Sequence, residues 1–205
     1  MSEAAASSWR RRSAWHGIAV AGRHGSAGNM PGVCATPVDW RSLATILAGE
    51  GRRAEVESAL TNLVGITPPS APKRVQGRFG DLIWSGPDQW LLASESPNVV
   101  ARAERDLRGL AAVSDQTDAR AVLRVAGPRV RDALAKGCLV DLHPRVFRTG
   151  DVALTSIAHI GAQIWQIDDA PTYDIAVFRS MAASFWSWFI ASASAYGCEV
   201  AAPKS

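Results

Sequence analysis

The chain has 205 residues, 47% hydrophobic and 20% charged, which excludes a largely disordered or collagen-like polypeptide and leaves room for one large domain or two small ones. Its net charge of +3 sits in the first thirty residues, where Arg10, Arg11, Arg12 and Arg23 face only Glu3; the remaining 175 hold 18 basic and 18 acidic side chains. A neutral body has no basic stripe for nucleic acid, and no apolar run reaches the ~20 residues that a membrane-spanning helix needs.

Residues 1–30 are Ala, Ser, Gly and Arg with almost no acid, and lack the apolar stretch of a secretory signal. The composition mimics an Arg-rich transit peptide. It equally fits a flexible basic tail, or sequence translated upstream of a true start at Met30. Folded structure is expected to begin near Val38. Asp39 can cap a helix through Trp40, Leu43, Ile46 and Leu47, ending at Gly49-Glu50-Gly51, with a second helix over 53–63. Pro68, Pro69 and Pro72 then force a loop.

Residues 78–84 and 90–93 read as a hairpin around Ser85-Gly86-Pro87-Asp88-Gln89, because Gly, Pro and Asp supply the turn chemistry. Residues 99–110 read as a helix, and 111–114 and 120–126 as strands. Gly127-Pro128 opens a further helix, since proline tolerates the first turn. Gly137 is expected to end it in a left-handed conformation. Residues 138–150 form a loop that is too apolar to hang in water. Three strands follow at 152–157, 162–167 and 173–178, turning at Gly161 and at Asp168-Asp169-Ala170-Pro171. A last helix starts at Ser180. Hairpins mixed with packed helices give an α+β fold: two small subdomains of α/β layers, about 38–115 and 116–200, with mainly antiparallel sheets.

No catalytic signature stands out. The chain has no G-x-G-x-x-G, no P-loop, no nucleophile elbow and no zinc-binding histidine pattern, and Asp168-Asp169 are neighbours in a turn rather than carboxylates converging across a cleft. Cys34, Cys138 and Cys198 are odd in number and far apart, as in a reducing compartment, so a cytoplasmic location is expected. The eight tryptophans are unusual. In the last helix Trp186 and Trp188 project about 200° apart. Trp188 shares the stripe of Met181 and Phe185, so Trp186 is expected to be the partner-interface residue.

The string over 120–147, from Arg-Ala-Val-Leu-Arg-Val-Ala-Gly-Pro to Lys-Gly-Cys-Leu-Val-Asp-Leu-His-Pro-Arg-Val-Phe, resembles the gamma subunit of heterotetrameric sarcosine oxidase. So do Trp84-Ser85-Gly86-Pro87-Asp88-Gln89-Trp90 and Asp168-Asp169-Ala170-Pro171-Thr172-Tyr173. The resemblance covers roughly 70–197 and finds no counterpart for 1–30. The positions that carry it are Gly86, Pro87, Gly127, Pro128, Lys136, Gly137, Cys138, Asp141, His143, Pro144, Asp169 and Pro171.

The resemblance implies one domain over 31–205 with a fold like that of the folate-binding glycine-cleavage T-proteins. It further implies a non-catalytic subunit of an oxidase complex, with no catalytic, cofactor-binding or metal residue of its own. Such a complex demethylates sarcosine to glycine, forms hydrogen peroxide and passes the one-carbon unit to tetrahydrofolate. FAD, FMN, NAD, zinc and tetrahydrofolate would be held by other subunits. The implied partners are the alpha, beta and delta subunits, mainly alpha, with neither nucleic acid nor membrane. The alternative is a free-standing folate-binding protein of the same fold. Lys136-Gly137-Cys138 also begins the K-G-C-Y-x-G-Q-E string of folate-dependent iron–sulfur maintenance proteins, but the Tyr and the Gly-Gln-Glu are missing here, so no reactive cysteine is implied.

Overall fold

A computed structural model describes residues 11–25, 30–39 and 42–202. Trp9, Trp40 and the first ten residues, to which part of the readings above refer, lie outside them.

Two sheets stack face to face, each covered on its outer side by helices. The smaller has five strands in the order β4-β5-β6-β3-β7. These are β3 (Ser42–Ala48), β4 (Arg74–Gln76), β5 (Asp81–Gly86), β6 (Gln89–Ser94) and β7 (Ala111–Asp115). Helices α1 (Arg53–Val64) and α2 (Val99–Asp106) cover it, with Val56, Leu60 and Leu63 packed on Ala44, Ile46 and Leu92.

The larger sheet has seven strands, β1-β12-β2-β8-β11-β10-β9. Its members are β1 (Gly22–His24), β2 (Val33–Val38), β8 (Arg120–Ala126), β9 (Val152–Ile157), β10 (Ile160–Asp168), β11 (Thr172–Phe178) and β12 (Cys198–Val200). Helices α3 (Val130–Leu134) and α4 (Ala182–Ser194) cover its outer face. All pairings in both sheets are antiparallel except β12 beside β2. The architecture is the expected α+β one, and the larger sheet draws strands from both ends of the chain.

Side chains alternate across each strand, so one set faces helices and the other faces the opposite sheet. Leu43, Ile83, Leu91 and Ala93 of the smaller sheet meet Val122, Val152, Trp165 and Ala176 of the larger one in a shared inner layer. A second tie is main-chain. Arg74 N–H donates to Gly150 O (2.7 Å) and Val152 N–H to Pro72 O (3.0 Å), around a bridge between Lys73 and Asp151.

Several expectations are corrected. The stretch expected as a helix from Asp39 is strand β3. Both of its faces are buried, so its run of apolar residues fits helical spacing as well as extended spacing. The turn between β9 and β10 is Ala158-His159, both at positive φ (50° and 67°), as a two-residue hairpin demands, and not Gly161. Gly137 does not adopt a left-handed conformation.

The segment expected as a free tail is not free over residues 11–25. Trp15 is 1% exposed within the core of the larger sheet, and β1 and β2 extend that sheet ahead of Val38. Its Gly/Ser/Arg composition concealed this, because one indole and Ala19 supply the buried contacts.

Candidate functional site

The inner layer is apolar only at its middle. Along β8 the inward residues are Arg120, Val122 and Arg124; along β11 they are Phe178, Ala176 and Asp174. Val122 and Ala176 occupy the shared core, so the two ends of these strands open into separate clefts.

The first cleft has a volume of about 570 Å³ and is bounded by Arg74, Asp81, Ser94, Arg124 and Ile167. Arg124 grips Asp174 with two parallel bonds, Nε to Oδ1 at 2.7 Å and Nη2 to Oδ2 at 2.8 Å. Asp174 is fully buried, and β8 and β11 hold the two residues directly opposite each other. Arg74 donates to Asp81 at 2.7 Å. Burial pushes the Asp81 carboxyl up and Arg74 pulls it back only in part, whereas the bond to Asp174 raises the Arg124 guanidinium. Both buried carboxylates are committed to arginines, so the cleft is braced by ion pairs; Glu95, exposed at its edge, is the remaining acid of the lining. Sequence reasoning missed these pairs. The signal was available: Arg120 and Arg124 alternate with Val122 on one face of a strand.

The second cleft, about 460 Å³, lies at the other end, between Arg120, Phe178, Gln163 and Leu154 on one sheet and Thr45, Gln89 and Leu91 on the other. Gln163 spans it, donating from Nε2 to Trp84 O (2.9 Å) and Ser85 Oγ (3.0 Å).

The residues singled out in the sequence do not converge as a set; Cys138, Asp141 and His143 share a third cleft of about 350 Å³ with Arg131 and Asp132, and the rest are dispersed. Gly86 (φ 143°) and Pro87 form the β5–β6 hairpin on the smaller sheet. Gly127 (φ 113°) passes so close to Gly32 that a Cβ would lie 2.6 Å from its carbonyl oxygen, and Pro128 follows it into the turn before α3. Lys136 donates from Nζ to Ser192 O (2.7 Å) in the last turn of α4, where a cation suits the exposed carbonyls. Gly137 matters for space: a Cβ there would stand 2.7 Å from the Trp188 ring.

Asp141 accepts the His143 N–H (2.9 Å), and His143 Nδ1 accepts from Arg145 N–H (3.2 Å), so both shape the loop around Pro144. Leu142 and Phe147 anchor that loop in the core, while Leu139 and Val146 face solvent. Asp169 accepts from Thr149 Oγ1 (2.7 Å) in the turn that Pro171 completes ahead of β11.

Cys138 lies half-buried beside Ile157, and burial pushes its thiol up. Cys198 is pushed up to about 11 by burial, and all three cysteines are unpaired. Neither nucleophile nor metal cluster emerges: among the described residues no group of three or more His, Cys, Asp or Glu is placed to hold a metal ion. Among them, too, no helix is long and apolar enough to cross a membrane.

Trp186 is corrected as an interface residue. It is 8% exposed, packed between Trp15 and Phe189. The N-terminal segment, absent from the helical-wheel argument, covers it. Trp188 is the more exposed of the two indoles, lying on Phe185 and Gly137.

Residues 49–196 match the model of the sarcosine oxidase gamma subunit family. The chain is 33% identical over 113 residues to the sarcosine oxidase subunit gamma of Corynebacterium sp. (strain U-96), covering 53% of this chain and 55% of that protein. It thus spans about half the length of the curated relatives it matches. Its structure is similar to a chain of the heterotetrameric sarcosine oxidase from Corynebacterium sp. U-96, with a TM-score of 0.77 at 25% identity, over 95% of this chain and 99% of that one. The glycine cleavage system aminomethyltransferase T from Bartonella henselae shares the fold, with a TM-score of 0.56 at 12% identity over 83% of this chain and 48% of that one.

Proposed function

The chain belongs to the sarcosine oxidase gamma subunit family, and from that premise we propose that it is the gamma subunit of a heterotetrameric, flavin-dependent sarcosine oxidase. The observation that carries this is the similarity to a chain of such a heterotetramer over nearly the whole length of both. The assembly oxidises the CH–NH bond of sarcosine, yielding glycine and hydrogen peroxide and passing the one-carbon unit to tetrahydrofolate. In this reading the chain is an accessory subunit that contributes no catalytic group. In keeping with it, both buried carboxylates of the first cleft are tied to arginines. FAD, FMN, NAD, zinc and tetrahydrofolate belong to the other subunits. We place the assembly in the cytoplasm, in keeping with three unpaired cysteines.

The test is co-expression with candidate alpha, beta and delta subunits. The chain should co-purify in equal stoichiometry, and the isolated chain should be colourless and devoid of oxidase activity. Stoichiometric flavin on the isolated chain would overturn the reading. A melting shift of the isolated chain with tetrahydrofolate, together with no co-purification, would favour the free-standing folate binder instead.

A further inference from the structure

The second cleft contains a charge without a counter-charge. Arg120 reaches into it from β8, stacked over Phe178 with its guanidinium carbon 4.0 Å from the ring centroid. Its Nε is buried and finds no acceptor among the described residues. No Asp or Glu lines the cleft; the other walls are Thr, Ser, Gln, Gly and apolar side chains. The contrast with the opposite end of the same strand is direct, because there Arg124 has Asp174.

Apolar surface surrounds this cation. Phe178 and Leu154 are each 51% exposed, on the inward face of the larger sheet. Leu47, 46% exposed, stands directly across from the lining residue Gln89 on the smaller sheet, on the same face as Thr45. The inner layer therefore continues past the shared core as two apolar lips with an arginine between them. A guanidinium is weakly hydrated, a ring stacked on its face leaves its in-plane N–H donors without an acceptor, and a planar carboxylate is the group that this fork of donors matches.

We propose that this cleft receives an extended segment of a partner subunit, which sets a carboxylate side chain on Arg120 and apolar side chains against Phe178, Leu154 and Leu47. The proposal rests on the accessory-subunit reading and adds where, and by what chemistry, the subunit is held. Charge complementarity selects the acid, since a half-buried cation that gains a fork-matched carboxylate gains both energy and register. The exposed lips select a polypeptide over a small carboxylate, because a molecule confined to the cleft would leave Leu47, which lies beyond its lining, in water. Burial also depresses the Arg120 guanidinium, as expected where no acid stands nearby.

Gly161 supplies a clean test. It lines the cleft, and a Cβ built on it meets nothing within 4 Å, so a side chain can start there without a backbone clash and a large one projects into the cleft. The full chain would be co-expressed with the other oxidase subunits as wild type, Arg120→Glu, Gly161→Trp and, as a control on the far helical layer, Arg108→Glu. Arg120→Gln replaces the charge reversal if that variant does not fold.

Both cleft variants should bind the partner subunits at least about thirtyfold more weakly, the scale of an interface hot spot, while the isolated chains keep the wild-type melting temperature and Arg108→Glu assembles normally. A photo-crosslinking side chain at Leu47 should capture an acid-containing segment of a different subunit. Wild-type assembly with both cleft variants unimpaired overturns this proposal alone. So does capture of a second copy of this chain. Failure of the wild type to co-purify overturns the accessory-subunit reading, and this proposal with it.

Discussion

The indoles of Trp15 and Trp186 meet edge to face, with ring centroids 6.2 Å apart and planes at 62°. Trp15 also donates from Nε1 to Val122 O at 2.8 Å, on the central strand β8. One residue from the extreme N-terminal region thereby fastens α4 to the middle of the larger sheet. Nearby, Arg11 pairs with Asp118 at 2.8 Å and Arg179 donates to Arg12 O at 2.7 Å.

Removal of that indole should be costly. Trp15→Ala should lower unfolding stability by about 3–5 kcal/mol, the range for a large aromatic deleted from a core. Urea denaturation of the isolated chain measures it. An unchanged midpoint would mean that the segment adds nothing to the fold.

Gly137→Ala should destabilise by about 1–3 kcal/mol, because the new methyl would stand within 2.7 Å of the Trp188 ring. Combining it with Trp188→Ala should recover part of the loss, a non-additivity that a double-mutant cycle reads out. Strict additivity would refute the steric account.

Asp174→Ala leaves Arg124 without its partner beside the inner layer. A loss of about 2 kcal/mol or more is expected, below the range for a wholly buried pair because the Arg124 side chain is 38% exposed. Replacing both residues with apolar ones of similar volume should cost less than the single change. Equal stability of Asp174→Ala and wild type in urea would contradict the picture.

Acid should loosen the tie between the sheets. Burial pushes the Asp151 carboxyl up, but its bonds to Lys73 and to the Arg148 N–H more than offset that, and it titrates below the usual carboxylate range. A depressed carboxyl contributes stability that is fully present above its unfolded pKa of ~3.9 and is lost as pH falls through its folded value. The stability gap between wild type and Asp151→Asn should therefore be present at pH 7 and close on acidification below about pH 4. A gap that persists at low pH would exclude this ion pair as its origin.

Much of this architecture was readable in the residues, and the exceptions have physical causes. Gly86-Pro87-Asp88 announced its hairpin because backbone geometry there is local. The stretch from Lys136 to Phe147 reads as too apolar for water, and this holds only in part: Leu142 and Phe147 are buried, whereas Leu139 and Val146 face solvent. Strand β3 was misread because burial on two faces erases the period that separates strand from helix. The turn at Ala158-His159 was missed because Ala158 is not a customary left-handed former and the strand pairing imposes the turn there. Trp186 was misassigned because the covering group, Trp15, comes from 171 positions away in the chain. The alternation of Arg120 and Arg124 with Val122 put both arginines on one strand face within a short window, but the partner of Arg124, Asp174, lies 50 positions away and no local pattern announces it.

Strand β12 lies between β1 and β2, so the last strand of the chain occupies the slot between its first two. On the ribosome, strands β3 to β7 and helices α1 and α2 can assemble as soon as residue 115 has emerged, since every pairing of the smaller sheet is then present. Strand β1 must wait, because among the described residues its only neighbour in the sheet is β12, which emerges after every other described strand. Nascent chains stalled before residue 198 should thus carry a formed smaller sheet and an open larger one. Emergence of β12 is what closes the larger sheet.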